Sequence, residues 1–466
     1  MKRVYLLMLI FAALAMVLFA CHYNNEPLAG VKESKVLVAI VPNGPNTYYI
    51  KDENVYAGFE YDLVNLFVKS LGSEYKAEIV MTDHVADVIP ELLAGKGHLA
   101  AANLSVTTAR KALVNFGPTY QTAQQRLVFN KDNTTPPSKL DALTNKRIVV
   151  PAATSYAERL KSLSKRIPDI HWHEDHRANT EELLDQVNSG TLDYTIADSH
   201  LVSILQNYYP NIVSGIKIGE PEDIAWAFPK NADPWLHEQS IAFFSRISKD
   251  GTLAHLVDRY YGNAKRLDTL DVTRFLSLTR STLPQYIALF KQAQEMTDID
   301  WRLLAAVSYQ ESHWDQYNTS PTNVRGLMML TEETADYLGV TDRLDAKQSI
   351  LGGAKYIHHL KKRLPSSVAE PDRTWLALAA YNIGMSHVQD ARVLAKQLKK
   401  DPDKWADIKT TLPLLNRPEY FDKAKFGYAS GGAPVIFVES IRTYNDILER
   451  YAPPHTSIFP NFHLGL

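Results

Sequence analysis

The spacing of apolar residues changes part-way along the chain, and that change limits what the chain can fold into. From Lys35, short apolar runs alternate with amphipathic helical stretches, whereas after Thr273 only helical spacing remains, to near Arg450. The runs predict strands over Lys35–Pro42, Leu99–Leu104, Arg147–Pro151 and Tyr194–Ala197. Between the first two, Tyr61–Leu71 predicts a helix with Leu63, Leu66, Phe67 and Leu71 on one face and Gly72 as its C-cap. Such alternation gives an α/β domain with ligands at the carboxyl ends of its strands. The later region predicts helices over Phe275–Gln294, Trp301–Glu311, Thr331–Leu338, Ile350–Leu364, Trp375–Tyr381 and Val435–Tyr451. Trp375–Tyr381 is apolar all round, which marks a central buried helix whose end delivers Tyr381 and Asn382 to the core. The polar stretch from Asn263 to Thr273 separates the two regimes.

A chain of 466 residues has room for two or three domains, each burying its own core. A formal net charge of -2 gives no electrostatic reason to expect nucleic acid. At the N-terminus, Lys2 and Arg3 precede the uncharged, mostly apolar run Val4–Ala20, the pattern of a secretory signal. Cys21 follows it and is the only cysteine, so no internal disulfide, Cys-x-x-Cys zinc site or redox pair is possible.

Glu311 closes a helical stretch that has almost no other charge. Leu304, Val307 and Glu311 fall at i, i+3 and i+7, which puts the carboxyl on the face those two residues bury. Burial without a cation disfavours ionisation, so Glu311 is a candidate general acid.

Three ordered segments accompany it: Gln310-Glu311-Ser312, Ser320-Pro321-Thr322-Asn323-Val324-Arg325-Gly326-Leu327-Met328-Met329-Leu330, and Ala379-Ala380-Tyr381-Asn382-Ile383-Gly384. In order and spacing they resemble the goose-lysozyme-like lytic transglycosylases, which cleave peptidoglycan glycan strands. The resemblance implies that Glu311 is the catalytic acid, that Ser312 and Ser320 tether it and the sugar, and that Met328, Tyr381 and Asn382 line the substrate cleft. Hydrolysing glycosidases usually need two carboxylates, and only one is placed here by a motif; a transglycosylase uses a hydroxyl of its own substrate instead. The sequence departs from the family at Met329, where glutamine is common, and at Ala433 and Phe437, where a glutamate and a tyrosine are frequent. Tyr444 lies one or two turns further on, and whether it replaces the lost hydroxyl stays open at this point.

Over residues 35–264 the motifs Gly58-Phe59-Glu60-Tyr61-Asp62-Leu63, Ala102 to Arg110, Phe116-Gly117-Pro118-Thr119-Tyr120 and Leu192 to Asp198 resemble the periplasmic amino-acid-binding proteins of transport systems. By that resemblance Arg110 pairs with a ligand α-carboxylate and Asp198 with its α-amino group, beside Asn103, Ser105 and Thr154. Ala153 replaces the glycine usual before Thr154. Leu18-Phe19-Ala20-Cys21 resembles a bacterial lipobox, in which Cys21 is lipidated. Phe19 departs from that pattern, so ordinary signal cleavage or a retained anchor stays open.

The organisation expected is a signal peptide with candidate lipobox (1–21), a tether (22–34), a solute-binding-protein-like regulatory domain (35–264), a linker (265–276) and a catalytic domain (277–455). The fold class is thus two domains: an α/β, periplasmic-binding-protein type II-like N-terminal domain and a mainly α, lysozyme-like C-terminal domain. Along nearly the whole chain this pairing resembles the membrane-bound lytic transglycosylases. The resemblance implies peptidoglycan glycan strands as substrate, an amino acid or muropeptide as ligand of the first domain, and membrane attachment by the N-terminal lipid or peripherally. It implies no cofactor and no metal. The expected location is the bacterial cell envelope, at the periplasmic face of the outer membrane. Two rival functions are a solute receptor or scaffold with an inactive lysozyme-like domain, motivated by Met329, Ala433 and Phe437, and a hydrolytic muramidase. His171 to His176 reads as a solvated loop rather than a metal site, and His358-His359 with Lys361-Lys362-Arg363 as a solvated helix face.

Overall fold

The computed structural model describes residues 28–52, 55–132, 136–144, 146–262, 269–320 and 322–456. Cys21 and the leader lie outside these residues. Among the described residues no helix is long and apolar enough to cross a membrane.

The first half forms two lobes. Lobe 1 is built on β1 (Val36–Pro42), β2 (Lys76–Thr82), β3 (Leu99–Ala100), β4 (Asn115–Phe116) and a strand contributed late, Ala227–Phe228, in the order β2-β1-β3-(Ala227–Phe228)-β4. Lobe 2 holds β5 (Gln125–Asn130), β6 (Ile148–Pro151), β7 (Trp172–Asp175), β8 (Tyr194–Asp198) and β9 (Ile212–Lys217), in the order β7-β6-β8-β5-β9. The chain crosses between lobes twice, and the crossing segments Gln121–Ala123 and Glu222–Ile224 pair antiparallel as a two-stranded hinge. Leu37, Ala39 and Val41 of β1 pack against Phe59, Leu63 and Phe67 of α1 (Phe59–Leu71), which ends at Gly72 with φ +142°.

Several expectations change here. The run Leu99–Leu104 keeps strand pairing only to Ala100, because Asn103 takes a left-handed φ of 50° and its N–H donates to the Glu60 carboxylate at 2.8 Å. His171 to His176 is not a loop: Trp172–Asp175 is an edge strand on which His173 is exposed. Val31, placed in the tether, is buried in the lobe 1 core within a one-turn helix, Val31–Ser34. The segment 265–276 is not an extended linker throughout, since Thr269–Ser281 is helical.

The second half is helical. The expected helix Phe275–Gln294 is two, Thr269–Ser281 and Ile287–Thr297, separated by a 3-10 turn, Leu283–Gln285. Pro284 explains the break, since it has no N–H to continue the ladder. Around the core stand α2 (Trp301–Ser312), α3 (Ala346–Arg363), α4 (Asp372–Ile383) and α5 (Gly432–Tyr451). The spacing analysis missed Met385–Gln397 and Trp405–Thr411, both amphipathic and rich in polar residues. In α4, Leu376 to Ala380 are buried, as an apolar-all-round helix requires. Asn382 does not reach the core: it is exposed at the helix end, while Tyr381 is partly buried.

A buried charge network joins the halves. Glu439 of α5 is fully buried and accepts from Trp405 Nε1 at 2.6 Å and Arg442 Nη1 at 2.8 Å. Arg442 also donates to the carbonyls of Asp258 and Arg259, at 2.9 and 3.1 Å, on the helix Thr252–Tyr261 of the first half. Lys409 bridges Asp258 at 2.5 Å and Glu439 at 3.4 Å.

Candidate active site and inter-lobe cavity

Helix α2 starts on Asp300, whose side chain caps it by accepting from Arg302 N, and ends at His313 with a left-handed φ of 54°. Trp301 to Tyr309 are all buried, so the helix is packed on every side and its last turn has a fixed position. Glu311 lies on that turn, partly buried. Desolvation alone raises its pKa to about 8, and no neighbouring charge contributes. The carbonyls at a helix C-terminus act in the same direction, since their partial negative charge disfavours a carboxylate.

Three helices hold the loop that faces this turn. Ser308 and Ser312, one turn apart on α2, both donate their hydroxyls to the Leu327 carbonyl at 3.0 Å. Met328 N–H donates to Ser349 Oγ of α3 at 3.1 Å, and the Tyr381 hydroxyl of α4 donates to the Met328 carbonyl at 2.5 Å. The Met328 side chain is fully buried against Gly353, where a Cβ would come within 2.7 Å of it. Gly326, at φ +82°, has no room for a side chain beside the Arg343 carbonyl.

The structure therefore brings Glu311, Ser312, Met328 and Tyr381 together. Glu311 and Tyr381 are close enough that the Glu311 charge contributes to raising the Tyr381 pKa, after burial. The hydroxyl of Ser312 makes its bonds to Ser308 and Leu327 rather than to Glu311. Ser320 sits in the loop with Thr322 Oγ1 at 3.0 Å and accepts from Val324 N at 3.1 Å. Met329 adopts φ 44° and is partly buried, and Ala433 is exposed. Phe437 is buried, and so is Tyr444, whose ring packs at 4.6 Å from Phe275 and 4.7 Å from Tyr309. Ser308 and Ser349 were missed in the sequence; Ser308 stands at i-4 from Ser312, a spacing that carried the signal.

All five candidate ligand residues of the first half line one cavity of about 680 Å³ between the lobes: Asn103, Ser105, Arg110, Thr154 and Asp198. Arg110 is buried and donates across the lobes to the Ala153 carbonyl at 3.3 Å and within lobe 1 to the Ser105 carbonyl at 3.2 Å. Ser155 and Ser105 hydroxyls meet at 3.2 Å, and Asn103 Nδ2 lies 3.2 Å from His200 Nε2. Thr154 caps the helix Ser155–Leu163 and donates to the Pro151 carbonyl at 2.7 Å. Its hydroxyl is thus spent locally. Asp198 is raised to about 7, first by burial, against hydrogen bonding from Tyr156 and the charge of Arg110; its Oδ1 is buried with no partner. The same cavity reaches the second half: Asp300 and Leu303 at the start of α2, Thr374 and Trp375 at the start of α4, and Asn445 and Glu449 on α5 line it too.

With this geometry in place, comparisons with known proteins settle the family. Family models described as "Bacterial extracellular solute-binding proteins, family 3" and "Transglycosylase SLT domain" match residues 36–263 and 288–404. The membrane-bound lytic murein transglycosylase F of Methylobacillus flagellatus is 55% identical over 98% of this chain and 97% of its own. The chain belongs to the membrane-bound lytic murein transglycosylase F family. A second member, from Nitrosospira multiformis, is 43% identical over 95% of this chain and 92% of its own. Among solved structures, the ancestral amino acid-binding protein AncCDT-1, a precursor of cyclohexadienyl dehydratase, covers 50% of this chain and 97% of its own, at 25% identity and a TM-score of 0.43. Membership carries envelope association with it, and the two matched regions combine an α/β solute-binding fold with a helical lysozyme-like one.

Proposed function

We propose that the helical half is a lytic transglycosylase that cleaves the β-1,4 bond between N-acetylmuramic acid and N-acetylglucosamine in peptidoglycan, with Glu311 as its only acid–base group. The observation that carries this reading is a desolvated carboxyl held near pKa 8 by burial, with no second carboxylate acting on it. The protonated Glu311 donates to the glycosidic oxygen as the bond to C1 breaks. The resulting carboxylate then takes the proton of the muramic acid 6-hydroxyl, whose oxygen closes on C1. The product ends are 1,6-anhydromuramic acid, and Glu311 is protonated again. Ser312 acts by fixing the Met328 loop, and Ser320, Tyr381 and Asn382 are the residues we assign to the glycan; the Met328 side chain, expected to line the cleft, is instead buried and shapes it from beneath. The N-terminal domain, 35–264, takes an amino acid or muropeptide at Arg110 and Asp198, and lipid at Cys21 directs the protein to the periplasmic face of the outer membrane.

Mass spectrometry of products from purified peptidoglycan tests the chemistry. Anhydro ends that disappear with Glu311→Gln support it; reducing ends point to a muramidase, and intact substrate to an inactive domain. Palmitate labelling lost in Cys21→Ser tests the anchor.

A further inference from the structure

The face of α3 that holds the Met328 loop has one more member. Ser349, Gly353 and Tyr356 fall at i, i+4 and i+7, so they run along one side of the helix. Ser349 accepts the Met328 N–H at 3.1 Å, and Gly353 leaves room for the Met328 side chain. Tyr356 continues that row, and its ring centroid lies 5.5 Å from that of Tyr381 on α4, with the two planes inclined by 56°. Tyr381 in turn is held above the ordinary phenol pKa by burial, then by the charge of Glu311, then by that of Tyr356. Glu311, Tyr381 and Tyr356 are therefore neighbours contributed by three helices, α2, α4 and α3.

A cleft that orients a sugar needs a few well-placed polar groups, and the hydroxyls expected to supply them here are engaged elsewhere or absent. Tyr381 commits its one proton to the Met328 carbonyl. Phe437 has no hydroxyl to offer. Tyr444 is buried, with its ring packed against Phe275 and Tyr309, so it does not stand in for the tyrosine common at Phe437. Tyr356 differs from all three. It is only partly buried, and its hydroxyl has no hydrogen-bond partner among the described residues while keeping contact with solvent. A phenol with its ring against protein and its hydroxyl free suits a ligand that has an apolar face and a polar edge. An N-acetylated sugar ring is such a ligand, with C–H groups on its faces and hydroxyl and amide oxygens at its rim.

We propose that the Tyr356 hydroxyl donates a hydrogen bond to an acceptor oxygen of the glycan beside Glu311, in place of the hydroxyl that Phe437 lacks. This deepens the reading of Glu311 as the acid of a glycan-cleaving site and rests on it. The ring of Tyr356, set against Tyr381, fixes where the donor stands, so the contact is made without reordering the cleft.

Tyr356→Phe tests this, because it removes the hydroxyl and keeps the ring contact. The hydroxyl has no protein partner, so its loss leaves nothing unpaired, and the melting temperature is expected to stay at the wild-type value. With soluble peptidoglycan strands, kcat/KM for release of anhydro ends is expected to fall about three- to tenfold, the worth of one hydrogen bond. A variant that cleaves like wild type overturns the proposal. So does one that melts lower than wild type, since the hydroxyl then serves the fold. If wild type itself leaves the strands intact, the reading of Glu311 fails and this proposal falls with it, an outcome set apart by the wild-type assay alone.

Discussion

The Tyr381 hydroxyl donates to the Met328 carbonyl at 2.5 Å and so ties the end of α4 to the loop that faces Glu311. Removing the hydroxyl leaves a buried carbonyl unpaired, at a cost of about 1 to 3 kcal/mol. Tyr381→Phe is expected to lower both the melting temperature and the yield of anhydro products. A variant that melts lower but cleaves at the wild-type rate would show that the bond is structural only.

Glu311→Gln should stabilise the protein while inactivating it. The folded-state pKa of about 8 exceeds the ordinary 4.5, so the folded protein prefers the neutral acid, and stability is lost as pH rises from the lower value to the higher. Glutamine escapes that loss. At pH 7 its advantage is up to about 3 kcal/mol, and near pH 4 it vanishes. Urea unfolding of both proteins at the two pH values measures it, and a pH-independent difference would sink the argument. Wild-type cleavage should likewise fall away above about pH 8 as the acid form is lost.

Gly353→Ala places a methyl group within 2.7 Å of the Met328 side chain. Overpacking of this kind costs about 1 to 3 kcal/mol, and here it pushes on the residue held beside the acid. Turnover should drop with little loss of helix content by circular dichroism. A compensating Met328→Ala change restoring stability would identify the contact as the cause.

Ligand binding between the lobes should depend on pH. Asp198 titrates near 7 because it is buried, and a ligand ammonium pairs only with its ionised form. Affinity is therefore expected to rise from about pH 6 to pH 8, and Asp198→Asn should flatten that dependence as well as weaken binding. Calorimetry at three pH values decides it; a slope kept by the variant assigns the titration elsewhere.

Arg442→Met withdraws the cation that partners the fully buried Glu439 and the Asp258 carbonyl. Breaking a buried pair from one side costs about 3 to 5 kcal/mol, because the remaining charge stays buried. Thermal melting should show it, whereas Arg442→Met with Glu439→Gln should recover much of the loss. A single variant that melts like wild type would show that Lys409 alone neutralises Glu439.

Long apolar periodicities and the Glu311 position were legible in the sequence because both follow from local spacing. Trp375–Tyr381 and Trp301–Glu311 are helices within a few residues of where the pattern put them. The strand at Leu99–Leu104 was overextended because its end is set by Glu60, a residue far away in sequence that captures the Asn103 N–H. Ser349 and Gly353 were invisible for the same reason: their importance lies in what α3 touches, not in their own neighbours. Asn382 was misplaced because helical apolarity fixes the buried stretch but not the residue at which the chain leaves it.

Two helices begin at one site and end at the other: Asp300 and Trp375 stand at the cavity, Glu311 and Tyr381 at the cleft. A helix of the length of α2 is about 18 Å of nearly incompressible rod. A push at one end is carried along the rod toward the other as far as the close packing around the helix yields. Catalytic groups tolerate little displacement, since about 1 Å can cost a hundredfold in rate. The footing of Glu311 therefore lies partly outside its own cleft, and a molecule wedged against Asp300 and Trp375 is expected to disturb Glu311 and Tyr381 without resembling a glycan.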